Sequence, residues 1–121
     1  VVLLNGSAIS AIRPVLNAAI QNGLRREIHV FLGVKTPAHR AFLADLEWWS
    51  NAGIQVHTVC DEADELGWYG ATGYVQDVAK EMGYVRDDVS VLLCGFPGMI
   101  EAAKALYTAA GCPEDQLLTN F

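Results

Sequence analysis

The sequence predicts an α/β domain, a three-layer, Rossmann-like open parallel sheet of about five strands in the order 3-2-1-4-5 with helices on both faces. Two observations carry this. Short runs rich in Val, Ile and Leu alternate along the 121 residues with longer stretches whose apolar residues recur at helical spacing. The short runs show little polar alternation, as expected of strands buried on both sides. Strand-helix-strand alternation then makes right-handed crossovers the default.

Val1–Asn5 reads as strand one. After the turn Gly6-Ser7, a helical pattern runs from about Ser10 to Asn22 through Ile12, Val15, Leu16, Ala19 and Ile20. Ser7 is of a type that caps helices. Pro14 falls near the first turn, where a missing N–H is tolerated, and Gly23 stops the helix. Glu27–Leu32 reads as strand two, ended by Gly33. Thr36 as N-cap and Pro37 at the first helical position start a second helix, which runs to about Asn51. Ile54–Cys60 is strand three, and residues 61–70 are a loop. His29 and His57 read as packed or edge strand residues. Tyr74–Met82 is helical and closed by Gly83. Asp88–Leu93 is strand four, Ile100–Ala110 the last long helix, and Leu117–Thr119 a short strand five.

Composition narrows the function classes. The chain is 52% apolar and 18% charged, with a formal net charge of −6. Its length suits one domain that buries a core without staples. The acidic balance argues against a phosphate-backbone binder, which needs clustered Lys and Arg. It leaves room for a single nucleotide held by backbone N–H groups and a helix end. No apolar run approaches the roughly 18 residues of a membrane span, so no membrane insertion is expected. Cys60, Cys94 and Cys112 are an odd, widely spaced set with no metal-ligand spacing to His29, His39 or His57. They read as reduced thiols in a reducing compartment, cytoplasm or plastid stroma, and no metal site is expected. The start at Val1, inside a strand and without Met, points to a piece of a longer chain.

In an open parallel sheet a ligand lies off the carboxyl ends of the strands, where strand order reverses. Here that place lies between strands one and four. The residues leaving them are Gly6-Ser7-Ala8-Ile9-Ser10 and Cys94-Gly95-Phe96-Pro97-Gly98-Met99. Both turns carry Gly, so a ligand can approach backbone closely, and the first helix offers its N-terminus to a phosphate. The dinucleotide pattern G-x-G-x-x-G and the P-loop pattern are both absent. Cys94, at the end of an apolar strand, has four readings: nucleophile, metal ligand, disulfide half, or small residue beside a ligand. Cysteine spacing disfavours the metal and the disulfide. The lack of a sequence-placed base disfavours the nucleophile.

These residues also carry a family resemblance. "CGFPGM" (94–99) resembles the C-G-x-P-x-M turn of the ferredoxin–NADP reductase superfamily, and "GSAISAIR" (6–13) its G-[ST]-G-[IV]-[AST]-P-[ILF]-[RK] turn. "GWYGATGYV" (67–75) and the ending "LLTNF" (117–121) resemble two further segments of that family, in the same order. The whole chain is thus similar to the family's NAD(P)H-binding domain, closest to plant and algal reductase-like members. The resemblance implies one NAD(P)-binding domain over residues 1–121 within a longer flavoprotein reductase. A preceding β-barrel domain of the same polypeptide would hold FAD, hydride would pass between NAD(P)H and that flavin, and electrons would go on to an unidentified acceptor. The isolated domain would catalyse nothing.

Carried over residue by residue, Gly6, Ser7, Ala8 and Ile9 would face pyrophosphate and nicotinamide. Cys94 would lie beside the nicotinamide ring without acting as a nucleophile. Gly95, Phe96, Pro97 and Met99 would shape the dinucleotide pocket, and Phe121 would be the terminal aromatic near the flavin. Two departures stand out: Ala8 replaces the second Gly of the first turn, and Ala11 replaces its Pro. They motivate the alternative of a degenerate module that kept the fold and lost the cofactor. After strand three, Cys60-Asp61 stands where NADP-preferring relatives carry Ser-Arg. Asp61 would repel a 2′-phosphate and accept from a ribose hydroxyl, so the reading leans to NADH.

Overall fold

A computed structural model describes residues 1–34, 43–60 and 71–119, the side chains of Ser7, Leu43 and Ala71 excepted. The chain order is β1 (Val2–Asn5), α1 (Ile9–Gln21), β2 (His29–Val34), α2 (Leu43–Asn51), β3 (Gln55–Cys60), β4 (Ala71–Thr72), α3 (Val75–Glu81), β5 (Val91–Cys94), α4 (Pro97–Ala109) and β6 (Leu117–Thr119). The strands form one sheet in the order β4-β3-β2-β1-β5-β6, and every pair is parallel. The five longer strands therefore stand in the expected order 3-2-1-4-5. The two-residue β4 extends the β3 edge and is too short for any periodicity to announce it.

Each face of the sheet buries its own core. Ile9, Ile12 and Leu16 of α1 recur at i, i+3 and i+7 and meet Leu46 and Trp49 of α2 over Val2, Leu4, Val30 and Leu32. On the other face Val75, Val78 and Ala79 of α3 and Met99, Ala103 and Tyr107 of α4 pack on Leu3, Phe31, Val59, Val91 and Leu93. All six residues of β2 are buried, as the unalternating run requires. Of the two adjacent tryptophans, Trp49 is fully buried and donates from Nε1 to Asn17 Oδ1 at 2.8 Å, while Trp48 is exposed.

Several boundaries differ from the sequence reading. Gly6–Ala8 winds as a 3-10 turn straight into α1, so the helical run begins earlier than Ser10. Pro14 then lies inside the helix rather than in its first turn. Gly33 does not end β2 but sits within it, paired with Asn5 and Val59. Helix α4 starts at Pro97, not Ile100, because Pro at the first position is already set for helix and Phe96 supplies an extended N-cap. The Thr36-Pro37 helix start and the loop over residues 61–70 lie outside the described residues.

Candidate functional site

Strands β2, β1 and β5 end side by side, and the segments leaving those ends build the site. Asn5 pairs in register with Gly33, and Leu4 with Cys94. Beyond these ends lies a cleft of about 340 Å³ lined by Asn5, Gly33, Gly73, Tyr74, Val75, Gln76, Phe96, Gly98 and Met99. Its floor is strand-end backbone and its walls are the starts of α3 and α4. Tyr74 and Phe96 are the N-cap residues of those two helices, each with extended backbone. The two residues are 67% and 69% exposed, so two aromatic side chains stand at the mouth.

The polar content of the cleft is small and placed. Asn5 Oδ1 accepts the Phe96 backbone N–H at 3.2 Å, joining the end of β1 to the turn after β5. Gln76 is only 7% exposed, and its Oε1 is buried with no hydrogen-bond partner among the described residues. Such an acceptor costs free energy unless something outside the fold donates to it. Among the described residues no carboxylate, imidazole, thiol or amine lines the cleft. It is equipped to bind rather than to move protons. The thiol and phenol that burial pushes up, Cys112 and Tyr107, lie in the α3–α4 core instead.

The two turns singled out in the sequence do converge, but from opposite sides of the sheet. Phe96 and Met99 line the cleft on the α3–α4 side. Ile9, with Ala8 and Cys94 partly buried against it, belongs to the core under α1 and α2. Strand alternation explains this, since Leu93 and Cys94 must face opposite ways. A ligand touching both sets has to straddle the ends of β1 and β5. Gly6 at φ +50° and Gly95 at φ +146° occupy backbone that favours glycine. Pro97 is exposed on the first turn of α4. Ala8 has φ −59° and ψ −16°, a helical conformation open to any residue. It is also the N-cap of α1 and makes no side-chain cap bond, so the capping position does not fall on Ser7. Asp61 and Phe121 lie outside the described residues.

Asn5, Gly33, Tyr74 and Gln76 line the cleft but are not among the site residues read from the sequence, although Tyr74 falls in the quoted segment 67–75. Two signals are present in the sequence: Asn5 is a polar end to an apolar strand, and Gln76 is a polar residue within the buried face Val75, Val78, Ala79.

Comparison with known proteins decides the family. The family model described as "Oxidoreductase NAD-binding domain" matches residues 2–105. The chain belongs to this family. It is 26% identical over 99% of its length to the CDP-6-deoxy-L-threo-D-glycero-4-hexulose-3-dehydrase reductase of Yersinia pestis, of which it covers 36%. Over 49% of its length it is 43% identical to NADH-cytochrome b5 reductase 1 of Pyricularia oryzae, covering 19% of that protein. Among solved structures, the ferredoxin reductase in carbazole 1,9a-dioxygenase superposes with a TM-score of 0.81 at 21% identity, over 98% of this chain and 36% of that one. The domain has the fold of ferredoxin-reductase NAD-binding domains, as the four motifs implied. It spans about a third of the length of the first of these relatives.

Among the described residues no helix is long and apolar enough to cross a membrane, and no group of three His, Cys, Asp or Glu side chains is placed to hold a metal ion.

Proposed function

We propose that this NAD-binding domain holds NAD(P)H across the ends of β1 and β5 and serves a flavin oxidoreductase whose FAD sits in another domain of the same polypeptide. The observation that carries the reading is the cleft with the buried Gln76 Oε1, which has no hydrogen-bond partner among the described residues. A ribose hydroxyl or an adenine amine would supply the donor that this oxygen lacks. The exposed aromatic side chains of Tyr74 and Phe96 offer flat apolar faces to a base. The 13-residue α4 points its N-terminus at the cleft and favours a negatively charged group there. These features fit a dinucleotide.

On this reading Gly6, Ser7 and Ala8 meet the pyrophosphate side together with the backbone N–H of Ile9, whose side chain is buried in the core, and Gly95, Phe96, Pro97 and Met99 shape the pocket. Cys94, at the opposite face of the strand end, lies on the nicotinamide side as a small, polarizable wall. The bound nucleotide supplies a hydride, two electrons and one proton, to the flavin. The chain's own part is to orient the nucleotide and exclude water, since no acid or base among the described residues lines the cleft. Phe121 would approach the flavin, and Asp61 would favour NADH by repelling a 2′-phosphate. The free thiols of Cys94 and Cys112 suit a reducing compartment, cytoplasm or plastid stroma. The degenerate-module alternative rests on Ala8 and Ala11, and the match of the NAD-binding family model over residues 2–105 does not favour it.

Calorimetric titration of the chain with NADH and with NADPH tests the proposal. Binding of both, tighter for NADH, is expected. No binding heat from either nucleotide at millimolar concentration would refute it.

A further inference from the structure

Asn5 is wedged between two glycine backbones. A Cβ added at Gly95 would lie 2.5 Å from Asn5 Oδ1 and 2.9 Å from Asn5 Cβ. One added at Gly33 would lie 3.1 Å from Asn5 Nδ2. The side chain therefore reaches over both neighbouring strands, β5 on one side and β2 on the other. Its single protein hydrogen bond among the described residues ties together backbone 91 residues apart, from Phe96 N–H to Oδ1. That bond also sets the amide's orientation, because only Oδ1 can accept. Nδ2 is left on the side of Gly33, at the floor of the cleft.

The consequence concerns the turn after β5. Gly95 sits at φ +146°, where an L side chain is strained, and glycine is the residue with most freedom to leave that conformation. Phe96 is exposed, so little packing holds it. Beyond the ladder pairing of Leu4 with Cys94, the Asn5 bond is the side-chain tie that joins this turn to the end of β1 among the described residues.

Resting on the dinucleotide reading above, we propose that Asn5 is a positioning residue of the nucleotide site: by binding the Phe96 N–H it sets the Cys94–Phe96 turn against β1 and fixes the spacing between the two halves of the site. A leucine of similar size would fill the space and leave the Phe96 N–H without this partner. An aspartate would keep the acceptor.

The test combines amide hydrogen exchange with nucleotide affinity for the native chain and the variants Asn5→Ala and Asn5→Asp. In Asn5→Ala the Phe96 amide should exchange about tenfold faster or more and NADH should bind about tenfold more weakly, the size of one lost hydrogen bond. Core amides such as Leu3 and Phe31 should keep their native protection. Asn5→Asp should keep native exchange at Phe96, and a third variant, Asn5→Leu, which fills the space without an acceptor, should exchange there as fast as Asn5→Ala, whereas a space-filling role predicts native exchange in Asn5→Leu. Native NADH affinity in Asn5→Ala would overturn the proposal, as would uniform loss of core protection, failure of Asn5→Asp to keep native exchange at Phe96, or native exchange there in Asn5→Leu. If the native chain binds neither NADH nor NADPH, the dinucleotide reading itself fails, and the proposal with it, whatever the exchange at Phe96 shows.

Discussion

At the scale of single residues, the site is organised by what is missing at Gly33. Its backbone is not in the left-handed region, so its freedom is not the point. Space is. A Cβ there would meet Val75 Cγ1 at 2.9 Å, Asn5 Nδ2 at 3.1 Å and the Leu4 carbonyl oxygen at 3.3 Å. Gly33→Ala should therefore destabilise the domain by about 1–3 kcal/mol, the usual range for overpacking, as read from urea denaturation. Adding Val75→Ala should cost less than the sum of the two single changes, because the second variant removes the nearest colliding atom. Additive costs would show that the crowding is relieved some other way. In the sequence Gly33 reads as a strand stop. Pattern alone does not separate a glycine that ends a strand from one that makes room inside it, because the deciding atoms belong to Asn5 and Val75, tens of residues away. Cys94 shows the complementary case. Its position at a strand end is legible, but the face it takes depends on the register with Leu4.

At the scale of elements, neighbouring strands gather ionisable rings far from the cleft. The β2–β3 register sets Phe31 opposite His57, with ring centroids 4.7 Å apart, and His29 stacks on His57 at 5.9 Å. Tyr84 closes over His29 at 4.0 Å. His57 Nε2 is buried with no hydrogen-bond partner among the described residues. Burial foremost, and the neighbouring His29 second, hold the His57 pKa below the ordinary histidine value. The folded form thus takes up a proton less readily than the unfolded chain. As pH falls below about 6.5 the unfolded chain protonates first, so stability is lost on acidification and is unaffected well above that pH. Urea midpoints at pH 7.5 and 5.5 should fall further apart for the native chain than for His57→Phe. Equal slopes would contradict this. The sequence reads both histidines as packed or edge strand residues; the structure buries His29 and leaves His57 partly exposed. Their mutual stacking needs the sheet order, which strand runs alone do not contain.

At the scale of the whole molecule, the layered fold is legible because its determinants are local and repeated: apolar runs, helical spacing, and glycines after helices. The order of the five longer strands agrees with them and with the handedness rule. The candidate site is legible only as two turns. Its cleft needs Tyr74 and Gln76 from the start of α3, which sit opposite α4 only once β4 and α3 are placed. The central claim is that one dinucleotide straddles the ends of β1 and β5 and touches both faces of the sheet. Amide chemical-shift mapping of the chain with NADH tests it most directly. The account predicts shifts in two clusters, Gly6–Ile9 with Cys94 on one face and Tyr74–Gln76 with Phe96–Met99 on the other, and none around His29 and Tyr84. Shifts confined to one face, or centred on the opposite ends of the strands, would contradict it.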